Sequence, residues 1–239
     1  MTWPLPPGLV DLHRRIWEQI AGSGSWWTGE ERVAMVAAAR RAWDCARCAE
    51  RSAALSPAWG ERCGDPESVL DDVVVDAVHR VVTDAPRVTR TWLDELHQAG
   101  VTDAHYVEML GVVTCALNID EFNRVLGVAL DPLPSPRPGS PDRYRPANAA
   151  RNLHWVATLD PRTREEPEAD LFPGARTGNV IRSLSLVPDA MRMAIALTEM
   201  HYVPTQFVVD MAWSPGRTLN RSQIEFVATR VSERNGCVY

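Results

Sequence analysis

Apolar residues recur at helical spacing through nearly every segment of this 239-residue chain, and that period limits its fold more than any other feature. Between Thr218 and Tyr239, Ile224, Val227, Ala228 and Val231 stand at i, i+3, i+4 and i+7, a stripe along one helix face. Asn220 or Ser222 is placed to cap its start. Asn235-Gly236 is placed to end it, because glycine readily takes the left-handed conformation found at helix termini. Residues 9–20 form a shorter amphipathic segment, broken by Gly22-Ser23-Gly24-Ser25. Thr28 with Glu31 is a capping-box pattern opening an Ala- and Arg-rich helix that runs to near Ser56-Pro57, with Asp44 placed to cap a restart. Further helices are predicted from Asp65-Pro66 to before Pro86, over 88–99, from Thr102 or Asp103 to Gly127, over 178–185 and over 188–202. No period-2 run is bounded by hairpin turns, so the expected class is all-α.

Residues 131–145 interrupt this pattern with five of the chain's 18 prolines. That density excludes a continuous helix or sheet strand and predicts an extended connector. Charged, proline-containing sequence continues to about Gly174, with 153–159 as its one ordered candidate. The chain therefore divides into an N-terminal helical unit (1–130), a connector (131–177) and a C-terminal helical unit (178–239). The net charge of −6 and scattered arginines argue against a nucleic-acid partner. No apolar run approaches the length of a membrane span, and residues 1–15 do not read as a signal peptide. The cytoplasm is the expected compartment. There, five cysteines are more readily thiols, ligands or redox centres than disulfides.

Cys45 and Cys48 stand one helical turn apart, so both sulfurs share a face. As a dithiol, one sulfur attacks a peroxide or disulfide and the other resolves the product. Two buried structural thiols fit the same spacing. Metal binding needs two more ligands; Cys63 and His79 are available but lack the usual paired spacing, and no metal or other cofactor is expected. His79 follows Asp76 by three residues, placed either for an acid–base pair or for a hydrogen-bonded core histidine. Cys115, among Val112, Val113, Ala116 and Leu117, reads as a small buried hydrophobe. His105, Tyr106 and Glu108 read as capping or contact residues, and Trp26-Trp27 as packing before a helix cap.

Glu225, eleven residues and then Cys237, together with Gly100-Val-Thr, Tyr106-x-Glu108 and the long apolar helix after them, resemble the alkylhydroperoxidase D-like, or carboxymuconolactone decarboxylase-like, superfamily. Its redox members carry a Glu, eleven residues, then C-x-x-C-x-x-x-H. The resemblance implies a helical bundle of two diverged copies of one unit. It also implies thiol-dependent reduction of hydroperoxides or disulfides, with an external thiol donor and a homo-oligomer. The candidate catalytic residues are Cys45, Cys48, His79, Glu225 and Cys237. Around Cys45-x-x-Cys48 the family's Glu and His are replaced by Val33 and Ser52, while beyond Cys237 the second Cys and the His fall past Tyr239. Weak or no peroxidase activity is therefore expected. The alternatives are a non-catalytic binding or assembly protein that keeps the fold, and a small-lactone decarboxylase.

Overall fold

Leu9, Leu12, Ile16 and Ile20 fall on one face of the first helix and are buried along it, which fixes α1 (Leu9–Ala21) against the core. The computed structural model describes residues 5–56, 61–163, 165–172, 178–213, 216 and 218–237. Thr28 caps α2 (Gly29–Ala42) with the reciprocal bonds of a full capping box, so this start lies where the sequence placed it. Then come α3 (Ala46–Ala53), α4 (Asp72–Thr83), α5 (Arg90–Gln98) and α6 (Asp103–Val125). Thr89 and Thr102 cap α5 and α6 by accepting from the N–H groups of Trp92 and His105. Beyond the connector lie the short α7 (Asn179–Arg182), α8 (Pro188–His201) and α9 (Arg221–Arg234). The protein is all-α: among the described residues no strand occurs, only an isolated bridge between Ala150 and Thr158.

Met35, Val36, Val75, Val78, Met109, Val112 and Ile119 are fully buried where α2, α4 and α6 meet. Each such side chain contributes roughly 1.5–3 kcal/mol by leaving water. Met193 and Leu197 of α8 enter this same cluster, so the core crosses the expected 131–177 connector. At Gly111 of α6 a Cβ would lie 2.5 Å from the Cβ of Ala190, so glycine here lets α8 close on α6. Residues 131–145 form neither helix nor strand and run along the α1–α2 corner. They are tied there by the Arg137 N–H to the Ala21 carbonyl (2.7 Å) and the Arg143 N–H to the Ser25 carbonyl (2.8 Å).

Four expectations about elements change. The Ala- and Arg-rich helix stops at Ala42 and restarts at Ala46 with Cys45 itself at the N-cap, in extended backbone (φ −78°, ψ 116°) and without a side-chain cap from Asp44. The helix expected from Asp65-Pro66 begins only at Asp72. Asp65 instead turns its carboxylate on the Glu67 N–H and on Arg41, holding 61–71 as a loop. The helix expected over 178–185 is the four residues of α7. In α9, Asn220 makes the capping box and Gly236 (φ +64°) ends the helix, but Val227, Val231 and Phe226 lie exposed. The turn expected at Ser214-Pro215-Gly216 falls mostly outside the described residues.

Candidate metal centre

Breaking the helix at Trp43-Asp44 turns α3 so that it packs on α4, and the 61–71 loop then brings Cys63 between them. One ligand atom from each of Cys45, Cys48, Cys63 and His79 falls within 4.8 Å of every other. The Sγ of Cys63 is 3.7 Å from that of Cys45 and 3.7 Å from that of Cys48, and Cys48 Sγ is 3.4 Å from His79 Nδ1. A zinc ion at ~2.3 Å from sulfur and ~2.0 Å from nitrogen, in tetrahedral geometry, sets S···S edges near ~3.8 Å and S···N edges near ~3.5 Å. The three separations match those edges. Cys48, Cys63 and His79 are buried and Cys45 is half-buried at the helix start.

The charges around the cluster fit the same occupant. Arg51, fully buried, donates from Nη2 to Asp76 Oδ1 at 2.6 Å and approaches Cys63 Sγ at 3.6 Å. Arg80 donates to the other oxygen of Asp76 at 2.8 Å. The two guanidinium groups and the one carboxylate sum to one positive charge beside the cluster. Three thiolates on a divalent ion carry one net negative charge and cancel it. Nε and Nη1 of Arg51 have no hydrogen-bond partner among the described residues. Burial opposes the Asp76 charge, yet the Cys63 N–H (2.9 Å), Arg80 and Arg51 together hold its carboxyl below the ordinary range. Asp76 thereby pins the backbone of one candidate ligand. It does not pair with His79, whose Nε2 finds no partner among the described residues and whose Nδ1 meets Cys48 Sγ instead.

The thiols are unequal. The hydrogen bond from Cys63, opposed by burial, holds the Cys48 thiol below its ordinary value, and the same contact pushes Cys63 up to about 12. Cys48 thus ionises before Cys63, and a metal ion is what would draw the proton from Cys63.

Of the five candidate catalytic residues, the fold brings Cys45, Cys48 and His79 together. Glu225, on α9, takes an ion pair from Arg221 at 2.6 Å and a hydrogen bond from the Tyr202 hydroxyl. Cys237 is exposed beyond the end of α9, its N–H closing the helix end on the Ser232 carbonyl at 2.9 Å. Cys115 is buried in the core, which pushes its thiol up to about 12. Cys63 enters as the fourth member, foreshadowed in the sequence only as a possible ligand. Arg51 had no sequence signal beyond lying three residues from Cys48, one turn along the same face. Compared with models of known protein families, with curated proteins and with solved structures, the chain matches none.

Proposed function

We propose that this is a metal-binding helical protein in which Cys45, Cys48, Cys63 and His79 hold one zinc-type divalent ion. The observation that carries this reading is the set of separations, 3.7, 3.7 and 3.4 Å, which match three of the six edges of a zinc tetrahedron, with all four ligand atoms within 4.8 Å of one another. Soft sulfur with imidazole selects zinc over calcium or magnesium. Four protein ligands close the coordination sphere, as in sites that build structure rather than turn over substrate. Bound there, the ion supplies a cross-link between α3, the 61–71 loop and α4, a role fitting the non-catalytic alternative. A reducing cytoplasm keeps its thiols available. Metal content of the purified chain, with cobalt substitution as a thiolate-sensitive optical readout, tests this. A single ion per chain, lost in Cys48→Ser and in His79→Ala, is expected. A folded chain with no metal and three alkylatable thiols overturns the reading.

Thiol redox chemistry is the second reading, favoured by the contact of Cys48 with His79. Here the Cys48 thiolate attacks the outer oxygen of a hydroperoxide, the O–O bond breaks, and the alcohol leaves with a proton. Cys63 or Cys45 then displaces water from the sulfenic acid to form a disulfide, which an external dithiol reduces. The alkylhydroperoxidase-like family assignment belongs with this reading. Hydroperoxide reduction by chelated and metal-loaded protein separates the two. Activity in the metal-free form that disappears in Cys48→Ser favours the redox reading, and no turnover in either form favours the closed metal site.

We also take the chain to form a homodimer, since Phe226, Val227 and Val231 of α9 lie exposed. Light scattering is expected to give twice the chain mass of 26.6 kDa; a monomer at micromolar concentration refutes this.

A further inference from the structure

A cavity lies away from the candidate metal centre, between α1, the C-terminal end of α6 and the proline-rich connector. Its volume is about 540 Å³, within the range of small-molecule sites. Leu9 and Trp17 of α1, Phe122 of α6 and Pro132 give it a mainly apolar wall. The connector is tacked in place across it: the Trp17 indole N–H donates to Asp131 Oδ2 at 2.9 Å, and Arg137 donates to the Glu18 carbonyl at 2.7 Å.

One polar group in this wall is oriented by a chain of contacts behind it. His13 lines the cavity, is buried, and places its Nε2 2.8 Å from the Nε2 of His201. His201 in turn sets its Nδ1 against the amide oxygen of Asn118 and stacks on Phe122. An amide oxygen only accepts, so His201 Nδ1 carries the proton and its Nε2 is an acceptor. His13 Nε2 must then be the donor between the rings, which leaves Nδ1 of His13 as a lone pair. Among the described residues that nitrogen has no hydrogen bond. Burial lowers the pKa of both rings, keeping them neutral near pH 7.

We propose that the cavity binds a small, mainly apolar molecule bearing a hydroxyl or phenol group, whose O–H donates to Nδ1 of His13 while its apolar body lies against Leu9, Trp17, Phe122 and Pro132. The tautomer fixed by Asn118 and His201 selects a donor over an acceptor at that point. A ligand lacking the donor leaves the imidazole nitrogen unsatisfied, and discrimination against it is the loss of one buried hydrogen bond, about tenfold in affinity.

Titrate the 239-residue chain calorimetrically with 4-ethylphenol and, separately, with ethylbenzene. The expected result is saturable binding of one 4-ethylphenol per chain, about tenfold tighter than ethylbenzene. His13→Phe should remove that difference. Leu126→Trp, at the cavity rim, should block both ligands while leaving the imidazole pair in place. Should His13→Phe not fold, Leu126→Trp and the comparison of the two ligands decide. Absence of saturable 4-ethylphenol binding overturns the proposal. So does equal affinity for the two compounds, or binding that Leu126→Trp leaves unchanged.

Discussion

A Cβ placed on Gly24 would stand 1.9 Å from Glu108 Oε1 and 2.7 Å from its Cδ. Glu108 cannot easily move aside, because its other oxygen takes the Trp26 N–H at 2.7 Å and the buried Arg32 faces it at 3.5 Å. Burial pushes the Glu108 carboxyl up and the Arg32 guanidinium down, so neither charge is fully repaid by the other. Gly24→Ala is expected to destabilise the chain by roughly 1–3 kcal/mol, read as a fall in Tm. An unchanged Tm would show that the loop shifts freely. Glu108 read in sequence as a capping or contact residue and as part of a family pattern, not as a buried ion-pair partner, since its burial beside residues 24–26 is a tertiary fact. Cys63 was equally hard to select. It follows Cys48 by fifteen positions and precedes His79 by sixteen, spacings that no local geometry favours. Thr28, by contrast, caps within three residues, and three residues of sequence suffice to see it.

Among the elements, α3 depends most on something outside itself. Of its eight residues only Cys48 and Arg51 are buried, and both belong to the candidate metal centre. A helix this short is marginal alone, so if the proposed ion is bound, its removal should loosen α3 and the 61–71 loop before the α2–α4–α6 core. At a thousandfold excess of metal over Kd, binding adds ~4 kcal/mol. At ~2–4 °C per kcal/mol for a chain of this size, chelation should lower Tm by roughly 8–16 °C. Loss of amide protection confined to residues 45–71 would locate the effect, and an unchanged melt would remove the staple role. The break at Cys45 and the late start of α4 escaped the sequence because helical propensity runs on through both. The break brings Cys45 and Cys48 of α3 together with Cys63 of the loop and His79 of α4, three segments whose meeting no local pattern announces. The apolar stripe of α9 was legible as a stripe, but nothing in its period says whether a core covers it.

At the scale of the whole molecule, α1 and α8 come from opposite ends of the chain and meet through His13 and His201. That both ends carry helices was readable from their periodicity; that they share one core was not, because the connector's prolines hide how the chain returns. The join makes stability depend on pH in a calculable direction. His201 is pushed down from 6.5 to about 4, first by burial and then by the neighbouring His13. His13 is also lowered by burial, with Asp131 opposing. A histidine whose folded pKa lies below its unfolded one adds stability that is complete above the unfolded value. That stability is lost as pH falls through the folded value, because the unfolded chain takes up the proton first. The window is therefore from about 6.5 down to about 4. Melting temperature measured from pH 8 to pH 4.5 should hold nearly level and then fall across that window. His201→Phe, which keeps a ring beside Phe122 but cannot be protonated, should flatten the fall. Protons would also compete with an ion at the candidate metal centre, so metal content is followed in the same samples. If the variant melts with the wild-type slope while both retain their metal, the paired histidines do not set the acid limit of this fold.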